Sequence, residues 1–311
     1  MKLLLTGAFN YSDEQLSQIE SLGYEIIFVQ DERIPLQVDV SGIEAVVCNG
    51  LFLYNDISEF KNLKFIQVTS AGLDRVPLDY INKHGIKLFN ARGVYSIPMA
   101  EWVVLKILEI YKKSRHFYEA QREQRWDKQR NLLELTGKTA SIIGFGDVGT
   151  EIAKRLKAFG VHIIGVDIKE IQFGLIDEYY EVQNIDSALS KSDSVILTLP
   201  LTEDTRHLIN KDRIKVMKGS AVLINVARGG VIDERALVKA LRQDKLLGVA
   251  LDVFEEEPLP SSSELWSMER VIVTPHNSFV SDMSSERLFH VMINSLEAFS
   301  FNEIRSKGGL F

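Results

Sequence analysis

The sequence predicts an α/β protein built from two doubly wound parallel sheets, each covered by helices on both faces. Three observations carry this reading. Short apolar strands rich in β-branched residues alternate with amphipathic segments along most of the chain. A glycine-rich turn, Gly144-Phe145-Gly146-Asp147-Val148-Gly149, joins one of these strands to a segment of helical period. The 311 residues suffice for two domains, each with its own core.

In chain order, the first strands are Leu3–Leu5, Glu25–Val29, Ala45–Cys48, Phe65–Val68 and Lys87–Phe89. Ser12–Ser21 and Pro77–Lys83 read as intervening helices. This half contains no G-x-G-x-x-G, so it is expected to bind no nucleotide. The run Ser70-Ala71-Gly72 follows the Phe65–Val68 strand, where open α/β sheets place ligands. Its backbone N–H groups suit an anion, but on this stretch alone a plain strand-to-helix turn is the favoured reading.

Ser96-Ile97-Pro98 opens a long helix, with a capping hydroxyl and a proline in the first turn. The helix runs to Ile110 and is apolar around most of its circumference, which predicts burial and a packing role. The polar run Tyr118–Asn131 around Trp126 reads as a helix end and a wet loop.

The stretch Thr139–Asp167 has the parts a dinucleotide needs. Gly144 permits the tight turn, Gly146 lets backbone approach a pyrophosphate, and Gly149 lets the helix pack closely on the strand. The helix N-terminus offers unpaired N–H groups to phosphate. Val148, Ile152, Leu156 and Phe159 form one buried stripe of that helix. Asp167, ending the next strand, is placed to accept from ribose hydroxyls. Its charge repels a 2′-phosphate, so NAD is expected over NADP, although Lys169 nearby partly offsets that charge.

Further strands are Ser194–Leu199, Ala221–Val226, Leu247–Leu251 and Val271–Thr274, with a helix capped by Asp233 and a last helix at about Ser284–Phe299. Three successive strands end in chemically distinctive residues: Arg228, then Asp252 with Glu257 five positions on, then His276. Arg228 can grip a carboxylate through a bidentate, charge-assisted pair. His276 can give or take the proton of a carbinol. Glu257 can hold the imidazole. Taken singly, each has an ordinary surface explanation; their joint placement after consecutive strands points to hydride transfer at a carbonyl.

Composition narrows the partners. The chain is 45% apolar and 25% charged, as in soluble globular proteins. Its net charge of −7 argues against nucleic acid and anionic membranes. No apolar run approaches a spanning helix, and the N-terminus reads as a strand rather than a signal peptide. Cys48, the single cysteine, is expected in the core of a cytoplasmic protein. The six histidines lack ligand spacing, so no metal is expected.

At these motifs the chain resembles the D-isomer-specific 2-hydroxyacid dehydrogenases. The matching segments are Ile142–Gly149 (IIGFGDVG), Thr198–Thr205 (TLPLTEDT), Leu223–Asp233 (LINVARGGVID), Ala250–Pro258 (ALDVFEEEP) and Val271–His276 (VIVTPH), with Val68–Asp74 and Pro98–Val104 alongside. The resemblance implies a flavodoxin-like substrate-binding domain of residues 1–97 plus 284–311. It implies a Rossmann NAD-binding domain of residues 98–283 that forms a homodimer. It implies catalytic roles for Arg228, Glu257 and His276. It implies cofactor contacts at Gly144, Gly146, Asp147, Val148, Gly149, Asp167, Thr198, Pro200, Thr205, Val226, Ala227, Arg228, Asp252 and His276. It also implies that Ser70, Ala71 and Gly72, with Arg228 and His276, hold the substrate carboxylate, which reverses the reading of that loop taken alone.

Two departures stand out. Asn277-Ser278-Phe279 follows His276 where many members have two small residues, so Phe279 is placed to narrow the pocket. The chain also lacks the regulatory extension of some phosphoglycerate dehydrogenases, so feedback control by an amino acid is not expected. The expected activity is reversible reduction of small 2-oxo acids to D-2-hydroxy acids with NADH. An NAD(H)-sensing, corepressor-like binding protein is the alternative from another class. Relatives acting on formate or phosphite are a third, and the Glu257–His276 pairing disfavours the formate type. The substrate side chain stays open among glyoxylate, hydroxypyruvate, pyruvate, bulkier 2-oxo acids and phosphohydroxypyruvate. Gly50–Tyr54, Tyr95 and Phe279 are the residues expected to select it.

Overall fold

The computed structural model describes residues 1–170 and 174–307, with side chains as far as Phe301. Residues 308–311 of the expected substrate-binding domain lie outside the described residues. The chain divides into two compact units, Met1–Tyr95 with the segment from Ser281 onward, and Ser96–Val280.

The first unit carries β1 (Lys2–Thr6), α1 (Asp13–Ser21), β2 (Glu25–Val29), β3 (Ala45–Cys48), β4 (Phe65–Val68), α2 (Leu78–His84) and β5 (Lys87–Phe89). The strands form one parallel sheet in the order β2-β1-β3-β4-β5. Because side chains alternate across a strand, Leu3 and Leu5 join a core with Ile19, Val47 and Phe65. Leu4 joins a second core with Val46, Cys48, Ile66 and Ile81. Sheets buried on both faces read as continuous apolar runs, and these strands do. Ser12 caps α1 by accepting from the Gln15 N–H, while the Gln15 side chain accepts from the Ser12 N–H.

The second unit carries α3 (Ser96–Tyr111), α4 (Ser114–Arg122), β6 (Thr139–Ile143), α5 (Asp147–Ala158), β7 (His162–Asp167), β8 (Glu178–Glu181) and α6 (Ile185–Lys191). It continues with β9 (Ser194–Leu197), α7 (Lys211–Val216), β10 (Val222–Asn225), α8 (Glu234–Leu241), β11 (Gly248–Leu251) and β12 (Val271–Val273). All seven strands pair in parallel, in the order β12-β11-β10-β9-β6-β7-β8. The strand order reverses between β6 and β9, the position where sheets of this kind bind ligands. The last helix, α9 (Ser284–Lys307), returns to the first unit, where Met292, Leu296 and Phe299 complete the core around Phe65.

Several expectations need correction. The polar run Tyr118–Asn131 does begin in a helix end and pass into a loop, but the helix is a separate one, α4, because Lys113 turns into left-handed backbone (φ 52°) and breaks it from α3. On α3, Ala100, Val103, Ile107 and Tyr111 are buried, but Leu105 is 50% exposed. The face opposite the core is therefore open. On α5, Ile152 and Leu156 are fully buried, whereas Phe159 lies past the helix end as its C-cap and is 42% exposed. The strand β8 (EYYE) and the short helices α6 and α7 carry too little periodicity to be read from sequence. Among the described residues, no helix is long and apolar enough to cross a membrane.

Candidate active site

The glycine-rich turn has the geometry its spacing implies. Gly144 sits at φ +92°, and a Cβ there would lie 2.8 Å from the Leu199 backbone. A Cβ on Gly149 would lie 2.7 Å from the Gly144 carbonyl oxygen and 3.1 Å from Ile142. Helix α5 and strand β6 therefore approach as closely as glycine permits. Gly146 differs: a Cβ there would meet nothing within 4 Å, so open space lies in front of the turn. Gly146 is also the N-cap of α5 and offers no side chain to its first N–H groups.

Asp167, at the end of β7, is held from both sides. Its Oδ2 accepts from the Phe145 N–H at 2.7 Å and its Oδ1 from the Lys169 N–H at 3.1 Å. The carboxylate thus faces the turn at a set distance from it. On the other side, Thr198 donates its hydroxyl to the Gly144 carbonyl at 2.5 Å. Thr205 donates to the Pro200 carbonyl and accepts from the Thr202 N–H, each at 2.7 Å, which closes the loop after β9.

The chemistry-bearing residues follow β10, β11 and β12, whose ends lie side by side in register. After β10, buried Asn225 shapes the turn: its Oδ1 accepts from the Ala227 N–H and its Nδ2 donates to the Arg228 carbonyl. The Val226 N–H is taken by the Leu197 carbonyl, and Arg228 projects half-buried from this turn. Gly229 cannot be any other residue, since a Cβ would fall 1.8 Å from the Phe254 carbonyl carbon. The Arg228 turn is therefore pressed against the segment that leads to Glu257.

His276 stands in left-handed backbone at φ +50°, which is uncommon for a residue with a Cβ. Its Nδ1 is 2.8 Å from Glu257 Oε2. Glu257 is held in turn, because its Oε1 accepts from the Phe254 N–H at 3.0 Å. The brace that sets His276 is Asp252. This fully buried carboxylate accepts from the Thr274 hydroxyl (2.5 Å), the Asn277 N–H (2.8 Å) and the Ser278 N–H (2.9 Å). The Asp252 carbonyl also accepts from the His276 N–H at 2.8 Å. Phe279, 37% exposed, sets its ring edge-to-face on the His276 imidazole, with centroids 5.9 Å apart.

In the first unit, the loop after β4 is pinned through its carbonyls. Thr69, Ser70 and Ala71 accept from the Tyr95 hydroxyl, the Ala91 N–H and the Asn90 side chain respectively. The Ser70 hydroxyl donates to the Gly72 carbonyl. Sequence reasoning did not single out Asn225, Thr274, Ser278 or Gly229 as parts of the machinery. Only Gly229 left a signal, the doubled glycine after Arg228. Among the described residues, no group of three or more His, Cys, Asp or Glu could hold a metal.

A dinucleotide turn with an acid–histidine pair beyond the adjoining strands defines a nicotinamide-dependent oxidoreductase. The chain belongs to the D-isomer specific 2-hydroxyacid dehydrogenase family, whose NAD-binding domain model matches residues 104–278. It is 37% identical over 243 residues to a glyoxylate reductase of Thermofilum pendens, covering 76% of this chain and 72% of that protein. Among solved structures it is similar to a D-lactate dehydrogenase of Aquifex aeolicus complexed with NAD and lactic acid. That match has 26% identity, covers 97% of this chain and 96% of that one, and has a TM-score of 0.79. It is also similar to a D-isomer specific 2-hydroxyacid dehydrogenase of Xanthobacter autotrophicus in complex with NADPH and MES. Here identity is 26%, coverage 96% and 95%, and the TM-score 0.78.

Proposed function

We propose that the protein reduces small 2-oxo acids to D-2-hydroxy acids, reversibly, with NAD(H) as the preferred cofactor. The observation that carries the mechanism is the His276–Glu257 pair. A carboxylate 2.8 Å from Nδ1 makes that nitrogen the donor toward Glu257. Nε2 is then the nitrogen that exchanges a proton with substrate. In the reduction, His276 Nε2 gives its proton to the carbonyl oxygen as the carbon–oxygen double bond becomes a single bond. In the oxidation, it takes that proton back. Arg228 pairs with the substrate carboxylate, and the backbone N–H groups of Ser70, Ala71 and Gly72 are proposed as its further donors. The glycine turn would hold the dinucleotide, which when bound would supply the hydride for the carbonyl carbon.

The turn fits such a cofactor. The space in front of Gly146 is open, the first turn of α5 has no side-chain cap, and Asp167 is fixed beside the turn as a ribose acceptor. Asp147, Val148, Thr198, Pro200, Thr205, Val226 and Ala227 are proposed as further cofactor contacts. Asp252 supports the reading chiefly as the buried brace of the His276 loop. The fixed negative charge of Asp167 favours NAD over NADP. Phe279 on the imidazole is proposed to narrow the substrate pocket.

A homodimer through the NAD-binding domain is part of the proposal. Trp126 is 91% exposed and Tyr118 63%, and they stand with Phe117 and Leu132 on the surface after α3. A groove of about 580 Å³ lies between Phe117, Ala120 and Trp126. Exposed apolar patches of this kind mark interfaces. Consumption of NADH and of NADPH across a panel of 2-oxo acids tests the activity. Turnover of one acid with NADH is expected; tight NADH binding without turnover of any 2-oxo acid would replace the enzyme reading with a sensor.

A further inference from the structure

Two histidines of the second unit share an unusual arrangement. His276 and His207 both sit at φ +50°, and each places its imidazole on a glutamate of one short segment, Glu255 to Glu257. His207 Nε2 is 2.8 Å from Glu255 Oε1. The His207 N–H donates to the Gly230 carbonyl at 2.8 Å, which ties the loop closed by Thr205 to the turn after Arg228. Glu255 is itself anchored. Its N–H donates to Glu234 Oε1 at 2.5 Å, and its Oε1 accepts from the Glu234 N–H at 3.3 Å. Gly229 packs directly on the Phe254–Glu255 peptide. The loop after β9, the Arg228 turn and the segment that carries Glu257 therefore meet at the His207–Glu255 contact.

We propose that His207 is a positioning residue that latches the Pro200–Leu208 loop to Glu255, so that the cofactor loop and the carboxylate partner of His276 hold one geometry together. The proposal rests on the cofactor reading given above. An exposed imidazole–carboxylate contact contributes little to global stability. Keeping a non-glycine residue in left-handed backbone also has a cost. A contact with so little to add to the fold, kept in strained backbone between two functional loops, acts by fixing their relative position.

The test uses His207→Ala, His207→Gln, Glu255→Ala and the double alanine variant in the full-length protein. NADH affinity is measured by fluorescence titration, kcat with the best 2-oxo acid, and hydrogen exchange at Phe254–Glu257. The expected result for His207→Ala is about two- to five-fold weaker NADH binding, a similar loss of kcat, and faster exchange at Phe254–Glu257. His207→Gln, which keeps a donor, should recover most of the loss. The double variant should be no worse than either single one, the signature of a shared contact. Additive effects, or a lower Tm with NADH affinity and kcat unchanged, would overturn the latch. A wild-type protein that binds no NADH would remove both the cofactor reading and the latch. Unchanged His207→Ala kinetics in a working enzyme would remove the latch alone.

Discussion

Asp252 and His276 are tied through the backbone rather than through their side chains. The Asp252 carbonyl accepts the His276 N–H at 2.8 Å, while the Asp252 carboxylate takes the N–H groups of the two residues that follow, Asn277 and Ser278. The loop after β12 is wrapped around a buried carboxylate, and this wrapping holds His276 in left-handed backbone with Nδ1 on Glu257.

Replacing Asp252 with Asn swaps one acceptor oxygen for an NH₂ group that must face a backbone N–H. Leaving buried donors unmet costs about 1–3 kcal/mol, and each kcal/mol shifts Tm by about 2–4 °C in a domain of this size. A loss of several degrees together with a lower kcat is expected, read by calorimetry and steady-state kinetics. An Asp252→Asn protein with wild-type Tm and kcat would show that the brace is dispensable.

His276→Ala removes the proposed proton donor and leaves the glycine turn intact. A fall in kcat of about 10²–10⁴ is expected, with NADH affinity within about two-fold of wild type in a direct titration. Turnover at the wild-type rate would take His276 out of the mechanism.

In the proposed function, cofactor choice rests on Asp167. Asp167→Ser removes the charge that opposes a 2′-phosphate and keeps a short acceptor for the Phe145 N–H. The ratio of kcat/KM for NADPH over NADH should rise about ten-fold or more, equivalent to about 1.4 kcal/mol. An unchanged ratio would mean that groups other than Asp167 set the preference.

The pH dependence of stability has a local probe in Glu234. Burial first, and then the charges of Glu255 and Glu257, raise its carboxyl above the ordinary value of 4.5, against the opposing Glu255 N–H. For an acid with a raised folded value, the penalty of the charged form is complete above that value. It disappears as pH falls below the unfolded one. Glu234→Gln, which keeps an acceptor for the Glu255 N–H, should therefore raise Tm at pH 7, with the gain vanishing below about pH 4. A gain independent of pH, or a loss at pH 7, would contradict this assignment.

The exposed indole of Trp126 tests the assembly. Trp126→Glu should convert a dimer to a monomer in light scattering coupled to size-exclusion chromatography, because a charge placed at an interface core is strongly disfavoured. A wild-type monomer at micromolar concentration, or a variant that stays dimeric, would place the interface elsewhere or nowhere.

The sequence by itself was enough for the two doubly wound sheets, the glycine turn with Asp167, and the candidacy of Arg228, Glu257 and His276. Buried parallel strands announce themselves as apolar runs, and strand ends converge in a sheet whose order is constrained. The burial of Cys48 was legible for the same reason, since its signal is local. Only tertiary structure decided the rest. The polar edge strand β8 carries no apolar period to read, and the break that makes α4 a separate helix lies in the left-handed backbone of Lys113. Leu105 on α3 and Phe159 after α5 are open to solvent although their patterns suggested burial, because exposure depends on what packs opposite. That Asn225, Thr274 and Ser278 support the turns carrying Arg228 and His276, and that His207 and His276 contact glutamates two residues apart, follows from contacts between chain segments brought together by folding. Such contacts are set by the three-dimensional path of the backbone, and no local spacing encodes them.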